Sequence, residues 1–220
     1  MEMPLREEGP LKTWQRFGGV LSSPGQTLAD ITAHPSWAKM LLLVSGLGFL
    51  FTLVTLPKLK GFAFYTIQQQ LEKMPQLAGT EDVMMTTIIA GALFGAFLAP
   101  ALLCLLTAVF LKLFNLFAGE RVRFGSFYAV AVHAYIPLLI ATAITSAMIL
   151  FTPAANYSEV STSLYLLFPP GSTGFWPALA RYADPFYLWT VYLTALGAAC
   201  ATRSSLRPWI IYLLTLFAAA

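Results

Sequence analysis

The chain has 220 residues, of which 58% are hydrophobic, 14% aromatic and only 10% charged, with a mean hydropathy of +0.71. A soluble domain carries about 25% charged residues, so this composition excludes a water-soluble enzyme and a disordered tail. Thirteen Lys and Arg against ten Asp and Glu leave a net charge of +3, too small to suggest nucleic acid as a partner.

Residues 1–36 read as a cytoplasmic N-terminal segment without the continuous apolar run of a cleavable signal peptide. Leu11, Trp14 and Phe17 or Leu21 fall at near-helical spacing with Lys12 and Arg16 between them. Such a basic amphipathic segment lies on an anionic headgroup surface, or alternatively docks on a partner. Gly18-Gly19 weakens a continuous helix there. Ser23-Pro24 predicts a helix start, with Leu28 and Ile31 on its buried face and its end before Pro35.

Residues 37–220 read as an all-α polytopic membrane domain. A bilayer core of about 30 Å needs roughly 20 apolar residues as a helix. Five stretches approach that length, at about 40–56, 84–111, 127–151, 186–202 and 204–220. With the N-terminus cytoplasmic, Arg6, Lys12, Arg16, Lys39, Lys112, Arg121, Arg123, Arg203 and Arg207 lie inside, nine in all. Lys58, Lys60, Lys73 and Arg181, four in all, lie outside. Nine against four favours that orientation under the positive-inside rule. The outer loop 57–83 is expected to hold a half-buried helix resting on the membrane face. The loop 152–184 contains a short apolar run, 164–168, expected to cap the bundle.

Candidate functional residues are few. All ten acids fall outside the five spans, which argues against transport that relies on buried carboxylates. His133 is the ionisable exception; a neutral His hydrogen-bonded between helices is favoured over a titrating or metal-binding one. Pro137, one turn on, frees the carbonyl of His133 and predicts a kink, as Pro100 does in the second stretch. Tyr135 lies between His133 and Pro137 and completes a candidate polar intramembrane site. Gly91, Gly95 and Ala99 form a small-residue ridge suited to helix packing within the chain or with a partner. Lys12, Arg16, Lys112, Arg121 and Arg123 are candidate contacts for anionic lipid. Cys104 and Cys200 read as packing residues. The marks of intramembrane enzymes, such as HExxH or a Gly-x-Ser-Gly nucleophile with a partner His, are absent. No cofactor or metal is expected.

Three motifs in order carry a family resemblance. Residues 23–31 read Ser-Pro-Gly-Gln-Thr-Leu-Ala-Asp-Ile, followed by His34-Pro35-Ser36-Trp37. Arg123-Phe124-Gly125-Ser126-Phe127 precedes Ala134-Tyr135-Ile136-Pro137, and Asp184-Pro185-Phe186 precedes Trp189 and Gly197. Over residues 20–220 the chain resembles bacterial Yip1-family membrane proteins. The resemblance implies a Yip1 fold with a cytoplasmic N-terminus. In eukaryotes it implies vesicle traffic between ER and Golgi and contact with prenylated Rab GTPases. This chain has Ala134-Tyr135 where those members favour Gly-Tyr, lacks their Asp-Leu-Tyr-Gly-Pro stretch, and has a short N-terminal segment. The resemblance therefore implies a member from a bacterial inner membrane. The expected function is a non-enzymatic scaffold or accessory subunit that binds membrane lipid and other membrane proteins. The alternative is a channel, permease component or lipid-handling protein with His133, Tyr135, Asn115, Thr142 and Thr145 as its polar lining.

Overall fold

A computed structural model describes residues 10–118, 121–169 and 171–219. Its elements are α1 (Thr13–Ser22), α2 (Pro24–Ala33), α3 (Ala38–Lys73), α4 (Glu81–Ala118), α5 (Phe124–Ala134), α6 (Ile136–Phe151), α7 (Phe175–Tyr182), α8 (Pro185–Thr202) and α9 (Leu206–Ala219), with short 3-10 turns between some of them. Among the described residues there is no strand. Three stretches are long and apolar enough to cross a membrane: α3, α4, and Phe124–Phe151, which comprises α5 and α6. These coincide with three of the five expected spans. The other two fall on α8 and α9, of 18 and 14 residues.

The first correction concerns Pro57. A helix was expected to end there, with a separate surface helix beyond it. Instead α3 runs through Pro57 for 36 residues, about 54 Å at 1.5 Å per residue. Proline costs the helix one hydrogen bond, but the buried stripe does not stop. Thr55, Leu59, Ala63 and Ile67 repeat every fourth residue and are all buried. Packing along that stripe outweighs the single missing donor. Pro100 likewise sits inside a continuous α4. Two residues before Pro137, Tyr135 separates α5 from α6.

The chain divides into two compact units. One comprises Met1–Leu42, Leu103–Ile136 and Thr190–Ala220. In it α1 and α2 pack on each other and on α5. Its core joins Ala108, Leu111, Phe127, Ala195, Ala198 and Trp209. Phe114 meets Trp209 edge-on at 4.7 Å between ring centroids and stacks on Tyr212 at 4.3 Å. Two glycines set the helix spacing. A Cβ on Gly19 would run into the Thr27 hydroxyl of α2, and one on Gly197 would run into a Val130 methyl of α5. The expected weakness of Gly18-Gly19 therefore does not end α1; Gly19 is where α2 comes closest. The far end of α8 closes with Arg203 at φ +52°, its N–H on the Cys200 carbonyl and the Ser204 N–H on the Ala199 carbonyl. This is a Schellman ending built on a residue that pays for the left-handed backbone.

The other unit comprises Leu43–Leu102 and Pro137–Trp189. A Cβ on Gly48 of α3 would lie 3.3 Å from the Ala96 carbonyl of α4, and beside it Phe49 meets Phe97 edge-on. Lys58 donates to the Thr152 carbonyl at 2.8 Å, just past the C-terminus of α6, and Phe62 stacks on Tyr157. In the run 164–168, Tyr165 is buried beneath the Arg181 guanidinium, 3.8 Å from its ring centroid, and the Leu164 N–H donates to the Ala183 carbonyl. Asp184 caps the start of α8: its Oδ1 accepts from the N–H groups of Phe186 and Tyr187 at 2.8 and 3.2 Å.

The Gly197–Val130 contact yields a direct test. Gly197→Ala will lower stability in detergent by about 1–3 kcal/mol, the usual cost of overpacking. Combining it with Val130→Ala will return part of that loss, as thermal unfolding of the two variants will register.

Candidate functional site

Polar chemistry concentrates at the N-terminal end of the first unit. Arg16, in the middle of α1, is only 2% exposed. Its guanidinium fork is almost fully used. Nε donates to Asp30 Oδ2 at 2.9 Å, Nη1 to Ser36 Oγ at 2.7 Å, and Nη2 to the His34 carbonyl at 3.0 Å while also lying 2.9 Å from Asp30 Oδ2. One side chain thus ties α1 to α2 and to the segment that enters α3. Asp30 also takes the Leu11 N–H at 3.4 Å, and His34 Nδ1 lies 3.4 Å from its other oxygen. A planar five-donor group suits this task; the compact ammonium of lysine could not reach three acceptors at once.

This geometry corrects the expectation for Arg16. It was grouped with the lipid-facing cations, but its charge is spent on Asp30 and its surface is covered. On α1, Arg16 and Val20 point inward, while Trp14 is 71% exposed. The sequence did hold a clue. Asp30 is the only acid between positions 9 and 71, so a buried cation nearby had one possible counter-ion.

The remaining expected residues are placed as follows. Lys12 is exposed, and its backbone N–H donates to Gln15 Oε1 at 2.8 Å. Lys112 is half-buried, its Nζ donating to the Val122 carbonyl at 2.7 Å. Arg121 and Arg123 are exposed, and Arg123 is the residue before α5. His133 is buried, and its Nδ1 lies 2.8 Å from the Ala129 carbonyl one turn back on its own helix. A carbonyl only accepts, so Nδ1 carries the hydrogen. The bond is within α5, where one between helices was expected. Tyr135 is half-buried at the break and Pro137 is the second residue of α6. Asn115 is buried. Thr142 is exposed and donates to the Leu138 carbonyl of its own helix. His133, Tyr135 and Asn115 belong to one unit, Pro137, Thr142 and Thr145 to the other.

Gly91 and Gly95 are exposed on α4, and a Cβ added at either meets nothing within 4 Å. Ala99 is half-buried. Cys104 and Cys200 are free thiols, and the nearest polar partner of Cys200 is the Gly25 carbonyl at 4.0 Å. Among the described residues no group of three or more His, Cys, Asp or Glu is placed to hold a metal ion.

A family model described as the Yip1 domain matches residues 18–220, nearly the whole chain. The chain belongs to the Yip1 family. No curated protein and no solved structure matches it. The match begins inside α1, so the Arg16 anchor lies just before its edge while Asp30, His34 and Ser36 lie within it. Yip1-domain membership and three membrane-length apolar helices together mark an integral membrane protein.

Breaking the Arg16 anchor leaves a largely covered carboxylate without its partner. Removing one member of a buried pair costs about 3–5 kcal/mol. Asp30 keeps 18% of its side chain exposed, which places Arg16→Ala near the lower figure. Arg16→Lys will recover only part of the loss, and Arg16→Met with Asp30→Leu will recover more. Thermal unfolding, with trypsin cleavage at Lys12 as a local readout of α1, will rank the variants.

Proposed function

We propose that this Yip1-family protein is a five-span, non-enzymatic scaffold or accessory subunit of a bacterial inner membrane, with its N-terminus in the cytoplasm. Nine Lys and Arg against four across the five stretches support the orientation. At 18 and 14 residues, α8 and α9 reach about 27 and 21 Å. They serve as the fourth and fifth spans with local thinning of the bilayer or shelter among neighbouring helices.

The observation that carries the scaffold reading is the outward face of α4. Gly91 and Gly95 leave open space above the backbone, flanked by the exposed side chains of Phe94, Leu98 and Leu102. Apolar helices in lipid gain nothing from burying oil against oil. They associate where small residues let backbones approach and large neighbours interlock. An open small-residue ridge beside projecting apolar side chains has that form, and the occupant is a helix of another membrane protein.

Two measurements test this. With Cys104 and Cys200 replaced by Ala, a membrane-impermeant maleimide will label Gln76→Cys in intact cells and Arg121→Cys only after lysis. The reverse pattern overturns the orientation. In mild detergent, the wild-type chain will carry partner membrane proteins that Gly91→Leu/Gly95→Leu loses at least about tenfold, about 1.4 kcal/mol, at equal amounts of the chain itself. A wild-type chain that purifies alone overturns the scaffold reading.

A further inference from the structure

A cavity of about 890 Å³ lies at the foot of α3, its walls including Lys12, Trp14, Arg16, His34, Trp37 and Lys39. One of its cations is accounted for. Asp30, which is not part of the lining, neutralises Arg16 and also lies 3.4 Å from His34 Nδ1. Lys12 and Lys39 are both exposed, and among the described residues neither forms an ion pair. Among the described residues no carboxylate lines the cavity. The described lining therefore carries two ammonium groups without a described counter-ion. The first turn of α3, where Ala38 and Lys39 line the wall, adds backbone N–H groups without acceptors inside the helix.

The rest of the lining separates one anion from another. A free phosphate would use the ammonium groups and have no use for indoles. Trp14 and Trp37 are 71% and 40% exposed, and indoles settle where headgroup meets acyl chain. Trp37 is held edge-on against Tyr128 at 5.0 Å, so its ring is fixed at the mouth. Lys39 is the second residue of a helix long and apolar enough to cross a bilayer. The cationic part of the cavity thus adjoins the point where the chain enters hydrocarbon.

We propose that this cavity binds the headgroup of an anionic phospholipid, with the phosphate between Lys12 and Lys39 and the indoles of Trp14 and Trp37 against the glycerol and first acyl carbons. Arg16 shapes the floor and is not itself the anion ligand. The proposal rests on the reading that α3 crosses a membrane. Of the basic residues expected to contact anionic lipid it keeps Lys12, and it adds Lys39 as the second ligand.

The test uses the full chain in nanodiscs of phosphatidylcholine with phosphatidylglycerol, one or other lipid carrying brominated acyl chains that quench nearby indoles. Brominated phosphatidylglycerol will quench more than brominated phosphatidylcholine, and Trp14→Phe/Trp37→Phe will remove the surplus. Lys12→Ala/Lys39→Ala will reduce the preference for phosphatidylglycerol roughly thirtyfold, about 1 kcal/mol per lysine. Lys12→Arg/Lys39→Arg will keep it, and so will Lys60→Ala/Lys73→Ala, which removes equal charge elsewhere on the exposed surface. Equal quenching by the two lipids overturns the proposal, as does an equal loss in both alanine pairs. Glycerol 3-phosphate that displaces the quencher as well as the lipid does reassigns the cavity to a free phosphate. A surplus that emerges only after residues 1–9 are removed reassigns it to that acidic segment. Each of these results overturns the proposal. A chain that stays with membranes yet shows no preference defeats this site alone; one that remains dissolved without detergent defeats the membrane reading beneath it.

Discussion

Hydrocarbon offers no hydrogen bonds, so each polar group taken into it must be satisfied by the chain itself. This constraint organises the molecule at the scale of single side chains. Thr52, Thr55, Thr66, Thr87, Thr107, Thr142 and Thr194 donate to the carbonyl four residues earlier on their own helices. His133 follows the same rule through Nδ1 and Ala129. A hydroxyl bonded in this way brings no unmet demand to the helix surface. The interior can then be chosen for shape, which is why alanine and aromatic rings dominate the cluster around Trp209. The same economy explains the modest role of His133. A buried imidazole that uses its donor on its own helix contributes packing and leaves its second nitrogen as an acceptor.

Cations meet the same constraint in two ways. Lys58, Lys112 and Arg16 reach backbone carbonyls of Thr152, Val122 and His34. Carbonyls that lack a helical partner are strong acceptors, and a cation placed near a helix C-terminus also meets the negative end of its dipole. These three side chains hold segments in place, and their charge is largely consumed in doing so. Lys12 and Lys39 stand apart because, among the described residues, neither a carbonyl nor a carboxylate holds their ammonium groups. The distinction between structural and available charge is therefore one of acceptor geometry. Counting basic residues by segment cannot draw it.

Local signals were legible where one short-range interaction decides the outcome. Ser23-Pro24 marked the start of α2 and Asp184-Pro185 that of α8, and the structure has both. Their chemistry differs: Asp184 caps with its side chain, whereas Ser23 makes no side-chain cap and contributes its carbonyl to Thr27. Leu28 and Ile31 were legible as core because their spacing matches a helix face. The continuation of α3 past Pro57 was not, since a proline is visible at one position while the stripe from Thr55 to Ile67 acts over about three turns. Arg16 was misplaced for a related reason. Its partner lies 14 residues away on another helix, beyond the reach of a periodicity argument.

Glycine shows how much meaning position adds to residue type. Gly19, Gly48 and Gly197 are each set against a neighbouring helix, where a methyl group would strike a hydroxyl, a carbonyl or a valine. Gly91 and Gly95 belong to the motif most associated with helix contact, yet nothing stands within 4 Å of where their side chains would begin. Glycine lowers helix propensity by about 1 kcal/mol relative to alanine. At the first three positions close packing offsets that cost within the chain. At Gly91 and Gly95 the described chain supplies no such contact. Lipid tails can fill the notch but gain little from the absence of a methyl group, whereas an approaching helix gains backbone proximity.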